Sequence, residues 1–123
     1  MAEFVYYNAD PEKNHNSDCV TRAISLATGC PYAEVRKKLF YTAKLFKCER
    51  ICLFCYKYLL EDIFKCLPVE CDGMSVEEFA DKHPIGVFLV RMNGHISTII
   101  DNVCYDIFDC RKQILTDAWL VEL

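Results

Sequence analysis

The sequence predicts an α+β domain in which helices from the first two thirds of the chain pack on a small antiparallel sheet built by the last third. Three observations lead there. Up to about Lys82, apolar residues recur at helical spacing. After Pro84-Ile85-Gly86 they gather into short runs of strand length, and those runs are separated by Asn93-Gly94 and Asp101-Asn102, dipeptides suited to tight hairpin turns. Nothing repeats and no low-complexity linker divides the 123 residues, so positions 1–123 read as one domain: an N-terminal arm over 1–16, a helical part over 17–83 and a sheet part over 84–123.

Each element has its own signal. The stretch from Tyr6 to Ser17 is polar and turn-forming, and helical spacing begins at Cys19 and runs to Ala27. Ser17 or Asp18 is placed to cap this helix, and Gly29 to end it. Pro31 suits the first turn of a second helix with an apolar stripe of Val35, Leu39, Phe40, Ala43 and Phe46. From about Arg50 to Cys66 the sequence is apolar on every side, which predicts a third, central helix. Ser75-Val76-Glu77-Glu78 has capping-box spacing and opens a short helix to about Lys82. Strands are expected over Val87–Met92, His95–Ile100, Val103–Phe108 and Trp119–Leu123, the middle two forming a hairpin.

Composition narrows the function. The net charge is -4, so no broad basic face is expected to neutralise phosphates, and nucleic acid is not an expected ligand. No run of about 18 apolar residues is present to cross a membrane, and the first residues, with Glu3, Asp10 and Glu12, lack the pattern of a signal peptide. A cytoplasmic location is therefore expected. There the nine cysteines would stay reduced, mostly as small buried apolar side chains.

One cysteine stands apart. A thiolate is a far better nucleophile than a thiol, and a helix start favours the anion through unpaired N–H groups and the positive end of the dipole. Cys19 lies at such a start, where the same N–H groups can stabilise the oxyanion formed when a carbonyl is attacked. A base is also needed. Of His15, His83 and His95, the first lies in a polar stretch and the second precedes Pro84 at a helix end, whereas His95 opens an apolar strand. Asp106 and Asp109 are candidates to orient it. A two-residue turn at Asp101-Asn102 would set Asp106 opposite Ser97 on the His95 face; a three-residue turn would bring Asp109 across instead, and Asp-Asn favours the shorter turn.

The segment Asp18-Cys19-Val20-Thr21-Arg22-Ala23-Ile24-Ser25-Leu26-Ala27-Thr28-Gly29, then Asn93-Gly94-His95, then Val103-Cys104-Tyr105-Asp106-Ile107-Phe108-Asp109 resembles small phage and bacterial proteins related to papain-like peptidases and to peptidase domains that process bacteriocin leaders. The resemblance runs from Asn16 to about Trp119 and lies in the order of parts: cysteine at a helix start, histidine on a strand, acid on the next. It implies a papain-like fold and a thiol hydrolase, a peptidase, deamidase or amidase, that cleaves an amide bond through a thioester. Cys19 would attack, His95 carry the proton and Asp106 orient His95, with no cofactor and no metal. Its partner would be a protein or peptide substrate. Alternatively, the fold would serve a phage-type module that binds or inhibits a host protein with little turnover. The glutamine that such enzymes carry shortly before the cysteine is not matched, because the sole glutamine is Gln113. Asn14, Asn16 or backbone alone would take its place, and Asp18 would have to turn away from the nucleophile.

A competing motif, Cys48-x3-Cys52-x2-Cys55, has the spacing of cluster-binding cysteines in radical S-adenosylmethionine enzymes. Those enzymes need a much longer barrel. Read as one helix face, the three cysteines are neighbours in the core.

Overall fold

The computed structural model describes residues 2–13 and 17–122. Their order is β1 (Glu3–Tyr6), α1 (Cys19–Thr28), α2 (Tyr32–Phe46), α3 (Leu53–Tyr58) continuing into a π-helical turn (Leu59–Ile63), β2 (Leu67–Pro68), α4 (Val76–Lys82), β3 (Val87–Met92), β4 (His95–Ile100), β5 (Val103–Asp106) and β6 (Leu115–Val121). The class is α+β, as the change of period near Pro84 predicts, but the sheet is larger and mixed. Six strands lie in the order β1-β5-β4-β3-β6-β2, with β1 parallel to β5 and the other neighbours antiparallel. The expectation of a small antiparallel C-terminal sheet is thereby corrected. Glu3–Tyr6, inside the expected arm, covers the edge that β5 would otherwise leave open, and Leu67–Pro68 extends the opposite edge.

The helices show where local signals win and where they yield. α1 ends as the sequence predicts, at Gly29 with φ +75°, whose N–H bonds the Ser25 carbonyl at 3.0 Å; a left-handed residue closes a helix with least strain when it has no Cβ. Its start differs, because Asp18 holds the cap position without a side-chain cap bond. Pro31 stands one place earlier than expected, at the cap of α2, and Val35, Leu39 and Ala43 are buried while Phe40 and Phe46 stay exposed. The expected 50–66 helix is shorter. Lys47, with φ +56°, closes α2, and a turn through 48–52 delays α3 to Leu53. Leu59 and Leu60 are buried, yet Phe54 and Ile63 face solvent, so this segment is not surrounded by core. α4 forms its capping box, the Ser75 N–H to Glu78 Oε1 at 3.1 Å and the Glu78 N–H to Ser75 Oγ at 3.2 Å.

Two cores flank the sheet. On one face α1, α2 and α3 cover Leu89, Ile96 and Trp119; on the other Phe79 and Ala80 of α4 cover Phe88, Val90, Met92 and Ile99. Alternate β3 residues therefore serve different cores, the expected consequence of a two-residue period in a sheet covered on both sides. α1 is pinned across β4 by Thr98 Oγ1, which donates to the Ala23 carbonyl at 2.9 Å. No helix among the described residues is long and apolar enough to cross a membrane.

Candidate active site

The geometry of the candidate site depends on the turn between β4 and β5. Asp101 and Asn102 both take left-handed backbone conformations, φ +47° and +68°, and Ile100 pairs with Val103, which is the two-residue turn favoured from the sequence. Asp106 then falls beside Ser97 and His95. Its Oδ2 lies 2.6 Å from His95 Nε2 and accepts the Ser97 hydroxyl at 2.7 Å, while Oδ1 accepts the Ile107 N–H at 2.7 Å. Asp109 is elsewhere: exposed, with its carboxylate held by Arg111 at 2.8 and 2.9 Å.

α1 brings Cys19 to the same place. Cys19 lines one cleft with His95 and another pocket with Ser97 and Asp106, so the start of α1 sets the sulfur beside the His95–Asp106 pair. The thiol, the imidazole and the carboxylate thus gather where the start of a helix meets two strand ends. The Phe108 ring lies 4.6 Å from the imidazole centroid and limits its rotation. A cleft of about 230 Å3 opens beside Cys19 and His95, with Val20, Ile51, Tyr56 and Arg91 in its walls.

The charges follow from burial and pairing. Burial opposes a charged His95, but the hydrogen bond to the Asp106 carboxylate and the neighbouring Cys19 sulfur outweigh it and raise the imidazole to about 9. Burial likewise pushes the Asp106 carboxyl up, and its bonds from His95 and Ser97 overcome that and leave it below the usual carboxylate range. Asp18 is turned away from the sulfur: its carboxylate binds Arg22 one turn on and accepts the Tyr32 hydroxyl at 2.8 Å. Arg22 also reaches Asp106 Oδ1 at 4.0 Å, so one guanidinium spans both acids.

A pH dependence follows. Because folding raises the His95 pKa above its ordinary 6.5, it favours the imidazolium; this stabilisation is complete below about pH 6.5 and is lost as pH rises through about 9. The His95 ring proton signal is expected to titrate near pH 9 by NMR, and to move down in Asp106→Asn. A wild-type midpoint near 6.5 would contradict the pairing.

Several participants were not singled out from the sequence. Ser97 and Arg22 had readable positions, two residues along the strand from His95 and four along the helix from Asp18. Cys110 had none, since a loop returns its thiol to Asp106 Oδ2 at 3.8 Å and to Cys104 Sγ at 3.7 Å. His83 is not a plain surface residue: its ring stacks on Phe79 at 4.3 Å. His15, Asn14 and Asn16 lie outside the described residues.

Among the described residues, His95, Asp106 and Cys110 are the three side chains whose metal-ligating atoms gather within 4.8 Å of one another. His95 Nε2 and Asp106 Oδ2, at 2.6 Å, are closer than two ligands of one tetrahedral zinc, which stand about 3.3 Å apart. Their contact suits a shared proton. Cys48, Cys52 and Cys55 do not share a helix face as expected: Cys48 follows α2, Cys52 is exposed before α3, and Cys55 is buried within it, donating to the Leu39 carbonyl at 3.7 Å. Burial first, then Cys48, pushes the Cys55 thiol up to about 12. No family model, curated protein or solved structure matches this chain, which leaves its chemistry to be inferred from the site's own atoms.

Proposed function

We propose that this protein is a cysteine hydrolase of papain-like fold that cleaves an amide bond in a protein or peptide, working in the reducing cytoplasm. The observation that supports the reading is the gathering of Cys19, His95 and Asp106 at one place, with the 2.6 Å contact between the last two. In the first half-reaction the Cys19 thiolate adds to the amide carbon and the carbonyl π electrons move onto oxygen. When that pair returns, the C–N bond breaks, the amine leaves with the proton from His95, and a thioester remains. Water then attacks the thioester, giving its proton to His95 and releasing the acid and Cys19. Asp106 keeps the ring oriented and balances the imidazolium, the role expected of the third member of such a set.

A second reading, a module that binds a host protein with little turnover, draws on a groove outside the candidate site. There Tyr41, Leu45 and Ile63 are exposed around a groove of about 430 Å3 beside Lys37 and Lys38. It requires that Cys19→Ala leave the biological effect intact.

The deciding experiment is labelling with a cysteine-reactive peptide probe at neutral pH, followed by mass spectrometry of the modified site. Cys19 is expected to react first of the nine. Cys52 is the more exposed competitor, while Cys55, Cys66, Cys71, Cys104 and Cys110 are buried. Preferential labelling of Cys52 would overturn the hydrolase reading.

A further inference from the structure

An attacking thiolate needs donors aimed at the oxygen that becomes negative. α1 offers backbone N–H groups of its first turn, which have no acceptor within the helix. A glutamine to add a side-chain donor is missing shortly before Cys19, and Asn14 and Asn16 lie outside the described residues. Gln113 is no substitute, since its backbone is tied to Cys110 and Val76, on the α4 side of the sheet.

Tyr56 is placed to act there. It sits in the middle of α3, 4% exposed, its ring edge-on to Trp119 at 6.4 Å, and it shares the wall of the 230 Å3 cleft with Cys19 and His95. Arg91 shares that wall, and its guanidinium is held by Thr116 Oγ1 at 2.9 Å and Asp117 Oδ2 at 3.1 Å. A guanidinium only donates, so a phenol beside it keeps its own hydrogen to give. The nearby positive charge also polarises the O–H and makes it a stronger donor.

We propose that Tyr56 is a catalytic residue of this site, donating its hydroxyl hydrogen to the oxyanion formed on attack by Cys19, with Arg91 positioning it. The inference rests on the hydrolase reading. Burial, with the nearby Cys19 and Asp117, pushes the phenol up to about 12 despite Arg91, so it keeps its proton through the neutral range. No bond to Tyr56 forms or breaks; its hydrogen bond shortens as charge gathers on the carbonyl oxygen and relaxes when the thioester forms.

Two probes separate the oxyanion from the nucleophile. A peptide aldehyde adds to the thiolate reversibly and generates the tetrahedral oxygen, whereas iodoacetamide alkylates sulfur without one. Tyr56→Phe is expected to weaken the aldehyde about 100-fold while leaving the iodoacetamide rate at Cys19 within a factor of two, the unchanged rate also reporting an intact fold. Arg91→Met should weaken the aldehyde by less. Equal aldehyde affinity in wild type and Tyr56→Phe would overturn the inference and leave the hydrolase reading standing. A wild-type Cys19 inert to both probes would overturn both.

Discussion

Asp106→Ala is expected to slow capture of Cys19 by a peptidyl electrophile by about 10²- to 10⁴-fold, the range seen when the residue behind a catalytic histidine is lost. The size follows from two separate losses. His95 Nε2 no longer has the 2.6 Å partner that fixes the ring, and the charge that keeps the imidazole near 9 disappears from a buried place. Asp106→Asn divides the two, because an amide oxygen can still accept from Nε2 but carries no charge. It should react faster than the alanine variant while its pH profile shifts toward lower pH. Asp109→Ala, which removes an exposed carboxylate paired with Arg111, is expected to change the rate less than twofold. Comparable rates for wild type and Asp106→Ala would remove the acid from the mechanism.

Phe79→Ala should be the most destabilising change away from the site. Its side chain is fully buried, stacked on His83 at 4.3 Å and edge-on to Phe88 at 5.3 Å, and it is the main attachment of the seven-residue helix α4 to the sheet. Removing a buried phenyl costs about 3–5 kcal/mol, and for a domain of this size that lowers Tm by roughly 10–20 °C. Thermal unfolding followed by circular dichroism measures it; a fall under about 3 °C would mean that α4 repacks without its anchor.

The parts of this fold legible in the sequence are those where a short segment settles its own geometry. Ser75 with Glu78 predicts a helix that forms with its capping box, and Asp101-Asn102 predicts a turn whose register carries Asp106 to His95. What stayed hidden depends on distant residues. Glu3-Phe4-Val5-Tyr6 is too short to display a period, and it becomes a strand because β5 offers it an edge. Cys48, Cys52 and Cys55 have helical spacing, but the turn through 48–52 that follows the left-handed Lys47 takes the place of the helix that the spacing assumes. The contact of Cys110 with Asp106 needs the loop after β5 to turn back, which no local pattern signals. Tyr56 read as one more apolar residue of a core helix, and its hydroxyl gains meaning only through Arg91, a β3 residue.

The parallel strand β1 has a temporal consequence. It aligns Glu3 with Val103 and Tyr6 with Asp106, and the Tyr7 N–H bonds the Asp106 carbonyl at 2.9 Å, so residues made long before Asp106 help hold the backbone of the acid behind His95. Pairing across so long a stretch of chain is entropically costly and slow compared with local turns. During synthesis Glu3–Tyr6 must wait, unpaired, until Val103–Asp106 has left the ribosome. Cys19 emerges far earlier than His95 and Asp106, so the candidate site is assembled only once β5 has been made and paired.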